Sequence, residues 1–164
     1  MSRVSLLRRV PPAVKAVRVP PGERRTAWAT TADGGAVVAT DEAVLLPDGT
    51  RLAWAEVEHV TWGLPQLVLT EVAEVQGQGR EHVLVLDDAD GLPAEVRTRV
   101  MGSVAWSSHE RLSPSGGVRI VGRRVPGLEV LSWQLVYDAG TDTADPLVRH
   151  QAEALLEGAR RSIG

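Results

Sequence analysis

The chain has 164 residues, 43% of them hydrophobic, with no cysteine and a formal net charge of −3. That length suits one ordinary domain able to bury roughly two-thirds of its unfolded surface. The lack of Cys excludes disulfides, thiolate metal sites and Cys nucleophiles, and no apolar run approaches the roughly 20 residues of a membrane span.

There is no Phe, one Tyr and five Trp (Trp28, Trp54, Trp62, Trp106, Trp133), so the core must be Val, Leu and Ala with Trp supplying the large volumes. Val-rich segments suit pleated, half-buried surfaces and favour sheet. Lys15 is the only lysine; the Ala, Val, Gly and Arg usage resembles the codon bias of a high-GC bacterial genome. The first nine residues carry charge without an apolar h-region, so a cytoplasmic location is expected.

Residues 1–22 read as a basic arm. Within the first 25 residues, Arg3, Arg8, Arg9, Lys15, Arg18, Arg24 and Arg25 face only Glu23, so the excess of acid lies in the rest of the chain. Pro11, Pro12, Pro20 and Pro21 disfavour a continuous helix and predict extended backbone. The arm is expected to be a solvated tail. The five cations of the arm, with Arg24 and Arg25 just after it, are the candidate contacts for an anionic surface, either nucleic acid or lipid.

Residues 23–164 read as a single β-rich domain. Thr26–Thr31 meets a hairpin turn at Asp33-Gly34-Gly35, then come Ala36–Thr40 and Ala43–Leu46 and a second turn at Pro47-Asp48-Gly49. Arg51–Ala55 places Leu52 and Trp54 on one face, and Val57–Trp62 alternates likewise. After a turn at Gly63–Pro65, Gln66–Val75 leads through a Gly/Gln hairpin tip at 76–79 into Glu81–Leu86. Asp87, Asp88 and Asp90 offer capping carboxylates and Pro93 a helix start, with Val96, Val100 and Val104 as an apolar stripe and Arg97 and Arg99 off it. Ser113–Gly117 is a loop, and Val118–Val125 with Val130–Tyr137 forms another hairpin. Asp145 caps a final helix whose face is Val148, Ala152, Leu155, Leu156, Ala159 and Ile163. The expected class is α+β, mainly antiparallel β: a meander or partial barrel with two helices, the longer one C-terminal.

No motif in this pattern carries recognisable chemistry. Asp87-Asp88-Ala89-Asp90-Gly91 lacks the closing carboxylate of a calcium loop, and Pro93 interrupts it. His59, His82, His109 and His150 have no metal-ligand spacing. Ser107, Ser108, Ser113 and Ser115 lie outside any nucleophile elbow, and the Gly pairs at 34–35 and 116–117 open no helix, as a phosphate loop must. Trp54 and Trp62 flank the acidic Glu56-Val57-Glu58, which suits core filling better than base stacking. No cofactor, metal or catalytic residue is expected.

One stretch resembles a known family. Ala39-Thr40-Asp41, Val44-Leu45-Leu46 and Trp54-Ala55-Glu56-Val57-Glu58-His59-Val60, within residues 23–72, are similar to bacterial pleckstrin-homology-like domains, with the likeness strongest over 23–104. The whole chain also resembles small proteins of high-GC bacteria. The first resemblance implies a curved sheet or partial barrel with a packed helix, and binding more than catalysis, with another protein as partner. The hairpin at 118–137 and the second helix exceed a minimal version of that fold, leaving open which helix closes the sheet. The alternatives are a small enzyme using scattered Asp, Glu, His and Arg, or a nucleic-acid-associated protein using the arm.

Overall fold

In a computed structural model of the chain, residues 9–73 and 79–163 are described. Among them lie three helices, ten strands and one 3-10 turn. The strands are β1 (Arg25–Thr31), β2 (Ala36–Thr40), β3 (Ala43–Leu45), β4 (Arg51–Ala53), β5 (Val57–Gly63), β6 (Gln66–Glu71), β7 (Glu81–Asp88), β8 (Val104–Arg111), β9 (Gly117–Arg124) and β10 (Leu131–Tyr137). The helices are α1 (Pro12–Ala16), α2 (Leu92–Ser103) and α3 (Pro146–Ile163), the longest and C-terminal. The class is α+β with antiparallel sheets, as the sequence predicts.

The first seven strands form one sheet in the order β4-β3-β2-β1-β7-β6-β5. It consists of two meanders joined where β1 pairs with β7, through Thr30 with Asp88 and Thr31 with Leu86. The sheet stays open at β4 and β5 and does not close into a barrel. Its inner face buries Val37, Val44, Leu52, Trp54, Leu67 and Leu69 against Leu92, Val96 and Val100 of α2. Thus α2 packs across this sheet. By contrast, α3 packs Val148 and Ala152 on Val118 and Leu112 of a separate three-stranded sheet, β10-β9-β8.

The turn chemistry holds. Gly34 and Gly49 take φ of +89° and +87°, a region open to Gly at little cost. Asp145 accepts the Leu147 N–H at 2.8 Å and caps α3. At α2 the cap differs from expectation: the N-cap is Gly91, and no aspartate side chain takes that role.

Several boundaries also depart from the sequence reading. The strand expected over 51–55 ends at Ala53, because Trp54–Glu56 turn as a 3-10 helix whose Glu56 carboxylate accepts the Ala53 N–H at 2.7 Å. Burial of Trp54 drives this turn, and its indole N–H donates to the Thr40 carbonyl at 3.1 Å. The strand expected over 66–75 ends at Glu71, and most of the hairpin tip at 76–79 lies outside the described residues.

The arm is the larger correction. Residues 1–8 lie outside the described residues, but Pro12 begins α1, at a position where its missing N–H costs nothing. Val14 is fully buried and, with Val10, Ala13, Val17 and Val19, covers Ala36, Val38, Leu45 and Trp28 on the outer face of the sheet. Residues 10–19 are therefore part of the body, and β2 is buried on both faces.

A strand the sequence reading missed, β8, leaves α2 without a linker. Arg123 on the adjacent β9 ties this junction to the first sheet. Only 6% exposed, it donates from Nη1 to the Val100 carbonyl at 3.2 Å and the Ser103 hydroxyl at 2.8 Å, and from Nη2 to the Glu58 carbonyl at 3.2 Å. Burial lowers its pKa from the ordinary arginine value, with the Glu58 charge opposing, and the guanidinium remains the charged form. Replacing Arg123 with Met removes three donated hydrogen bonds, although the Ser103 hydroxyl still donates to the Val100 carbonyl at 2.6 Å, and the expected cost is about 3 kcal/mol. A urea midpoint unchanged in Arg123→Met would refute this.

Candidate functional site

The outer face of α2 carries Ala94, Arg97, Thr98, Met101 and Gly102, all exposed, because Leu92, Val96 and Val100 turn inward. The helical period thus sorts small and basic residues outward. Walls rise on both sides of this face. On one side a hollow of about 580 Å³ lies between Trp62 and Leu64, at the end of β5, and Pro93, Ala94 and Arg97. On the other, a hollow of about 390 Å³ is bounded by Thr26, Ala27 and Trp28 of β1. A third, of about 400 Å³, continues toward the helix C-terminus between Trp54, Arg99, Gly102, Arg124 and Pro126. Thr98 borders all three, so the α2 groove is a set of hollows that meet at this exposed helix face.

Large apolar side chains stand open to solvent around this groove. Leu64 is 83% exposed and Met101 68% exposed; Leu128, 62% exposed, follows Pro126 in the β9–β10 hairpin tip. A concentration of exposed apolar side chains rimmed by polar ones marks an interaction surface.

The charged residues of the groove fall into two groups. Glu95 accepts from Arg99 Nε at 2.8 Å, and Asp41 accepts the Arg24 N–H at 2.8 Å. Both carboxyls sit below their ordinary range, Glu95 chiefly through Arg99 and Asp41 chiefly through that backbone bond. Arg97 and Arg124 have no carboxylate partner among the described residues; Arg124 Nη1 meets only the Gly102 carbonyl, at 3.2 Å.

The residues singled out from the sequence lie elsewhere. Arg3 and Arg8 fall outside the described residues. Arg24 is occupied by Asp41, whereas Arg9, Lys15, Arg18 and Arg25 are exposed without a carboxylate partner among the described residues. Lys15 and Arg25 border a hollow with Val17, Val19 and Glu23, whose carboxylate is taken by Arg51 and by the Thr40 hydroxyl at 2.7 Å. Thr40 also accepts the Glu42 and Ala43 N–H groups, so the Ala39-Thr40-Asp41 motif is turn architecture.

Two of the four histidines pair with carboxylates, on different sheets. His82 meets Glu71 at 2.6 Å on the first sheet, and His109 meets Asp138 at 2.7 Å on the second. Ser108 bonds Glu110. Trp106 and Trp133 pack edge to face with centroids 5.6 Å apart across Gly122. Among the described residues, no group of three His, Asp or Glu is arranged to hold a metal ion, and no helix is long and apolar enough to cross a membrane.

Sequence reasoning missed the groove because Leu64 read as a turn residue. Arg97 was legible as lying off the apolar stripe. Comparison with protein-family models, with curated proteins and with solved structures gave no match.

Glu95 provides a pH test of this geometry. Its pKa is lower folded than unfolded, so its contribution to stability is present at neutral pH and lost as pH falls through the folded value, below 4.5. The stability difference between wild type and Glu95→Gln should therefore shrink between about pH 7 and about pH 3 in urea titrations. A difference independent of pH would contradict the Glu95–Arg99 contact.

Proposed function

We propose that this chain is a non-enzymatic binding domain of the pleckstrin-homology-like type, whose groove beside α2 takes a segment of another protein. The observation that carries the reading is the groove itself: three hollows meeting along one helix, with Leu64 in its lining and Met101 on the exposed face of the same helix both open to water. Exposing such side chains costs solubility and finds its use when a partner covers them. The seven-stranded curved sheet followed directly by a packed helix is in keeping with the resemblance over residues 23–104. α2 spans 12 residues, about 18 Å, which suits a polypeptide segment better than a compact small molecule.

A second reading, contact with an anionic surface, is favoured by Lys15 and Arg25 at their shared hollow. It predicts salt-sensitive binding to anionic vesicles or duplex nucleic acid that Lys15→Ala with Arg25→Ala removes. Binding that ignores both salt and these substitutions would exclude it.

The groove reading is tested by photo-crosslinking in cells. A photoreactive residue at Ala94 or Leu64 should give one discrete protein adduct that Thr98→Trp suppresses. The same residue at Leu147, exposed on α3 away from the groove, should give none. Equal labelling from all three positions, or none from any, would contradict it.

A further inference from the structure

We infer that the segment received by the α2 groove is an amphipathic helix whose carboxylates meet Arg97 and Arg124; this rests on the protein-binding reading above. The charge argument comes first. Of the acids lining the groove, Glu95 is held by Arg99, Asp41 by Arg24, and Asp90 has an interaction of its own. Arg97 and Arg124 are exposed cations without a carboxylate partner among the described residues. The groove's carboxylates are answered and two of its guanidiniums are not, so the complementary occupant brings negative charge.

The occupant's form follows from β5. A strand could add to this edge only through its free backbone groups. The Glu58 carbonyl is already taken by Arg123, and α2 packs over the same strand. Side chains laid along α2 then suit the helix-in-groove mode better than backbone pairing, with apolar anchors at i, i+3 or i+4, and i+7. Ala94, Thr98 and Gly102 project little from the floor, so such a helix can approach α2 closely. Its apolar face would cover Leu64 and Met101, and its flanking carboxylates would sit between Arg97 and Arg124.

The test uses the full chain and three stapled peptides of about 14 residues, a length that matches α2 with a turn to spare. All three carry the same Leu face, with Glu, Gln or Lys at the flanking positions; stapling equalises their helix content. In fluorescence anisotropy at low salt, the Glu peptide should bind at least about tenfold more tightly than the Gln peptide. In the double variant Arg97→Glu, Arg124→Glu, the preference should reverse toward the Lys peptide, a result that simple loss of folding cannot produce. Arg97→Glu alone, which leaves the Arg124–Gly102 contact in place, should shift the preference part of the way.

If Glu and Gln peptides bind equally, and both are lost in Thr98→Trp, the acidic specificity is wrong while the groove remains a binding site. If no peptide binds above background, both this inference and the helix-in-groove form are overturned. Sedimentation showing a dimer broken by Leu64→Asp would replace the partner helix with a second copy of the chain. Competition by duplex nucleic acid would overturn the acidic occupant.

Discussion

A buried guanidinium holds this fold in register. Arg123 lies where α2 ends, β8 begins and β5 forms the edge of the larger sheet. It reaches α2 through the Val100 carbonyl and the Ser103 hydroxyl and β5 through the Glu58 carbonyl, and it pairs in register with Val104 of β8. A helix C-terminus carries partial negative charge and unpaired carbonyls, so a cation there is favourable. Arginine suits this position because its planar fork of donors reaches several acceptors at once, which a lysine ammonium on a flexible stem does not. The cost is desolvation, visible in the lowered pKa and in an Nε without a partner among the described residues.

The position of α2 follows from that junction, and the groove follows from α2. Inward, Leu92, Val96 and Val100 close the core of the seven-stranded sheet. Outward, the same helix presents small side chains between walls supplied by β1, β5 and the β9–β10 hairpin. One element therefore serves as core lid and as binding floor. Displacing α2 to accommodate a poor ligand would strain the Arg123 contacts, so the groove behaves as a preformed surface.

Much of this was legible in the residues. The turns at Asp33-Gly34-Gly35 and Pro47-Asp48-Gly49 and most of the α3 stripe have local causes and match the sequence reading, although Ile163 at the end of that stripe is exposed. In β5 a register shift between Val57 and His59 breaks the expected alternation and puts Val57 in the core with Val60 and Trp62. What escaped has local signals that conflict. Val104 continues the Val96, Val100 spacing past Gly102-Ser103, so the apolar stripe runs on where α2 ends and β8 starts. Pro11 and Pro12 argue against a helix interior yet suit a helix beginning, and five residues give no periodicity to detect. Adjacent Arg123 and Arg124 look alike in sequence. Strand alternation sends one into the interior and leaves the other at the groove, and only β9's packing on the larger sheet decides which. The groove joins residues from 26 to 126, a constellation that spacing along the chain does not reveal.

The central claim is that Arg123 makes the two sheets one cooperative body. Native-state hydrogen exchange in rising urea tests it directly. The account predicts that the amides of Ile120–Gly122 in β9 and of Val37–Ala39 in β2 merge onto one unfolding isotherm. If the β9 amides open on a separate isotherm of lower free energy while β2 stays protected, the smaller sheet unfolds on its own and the account is contradicted.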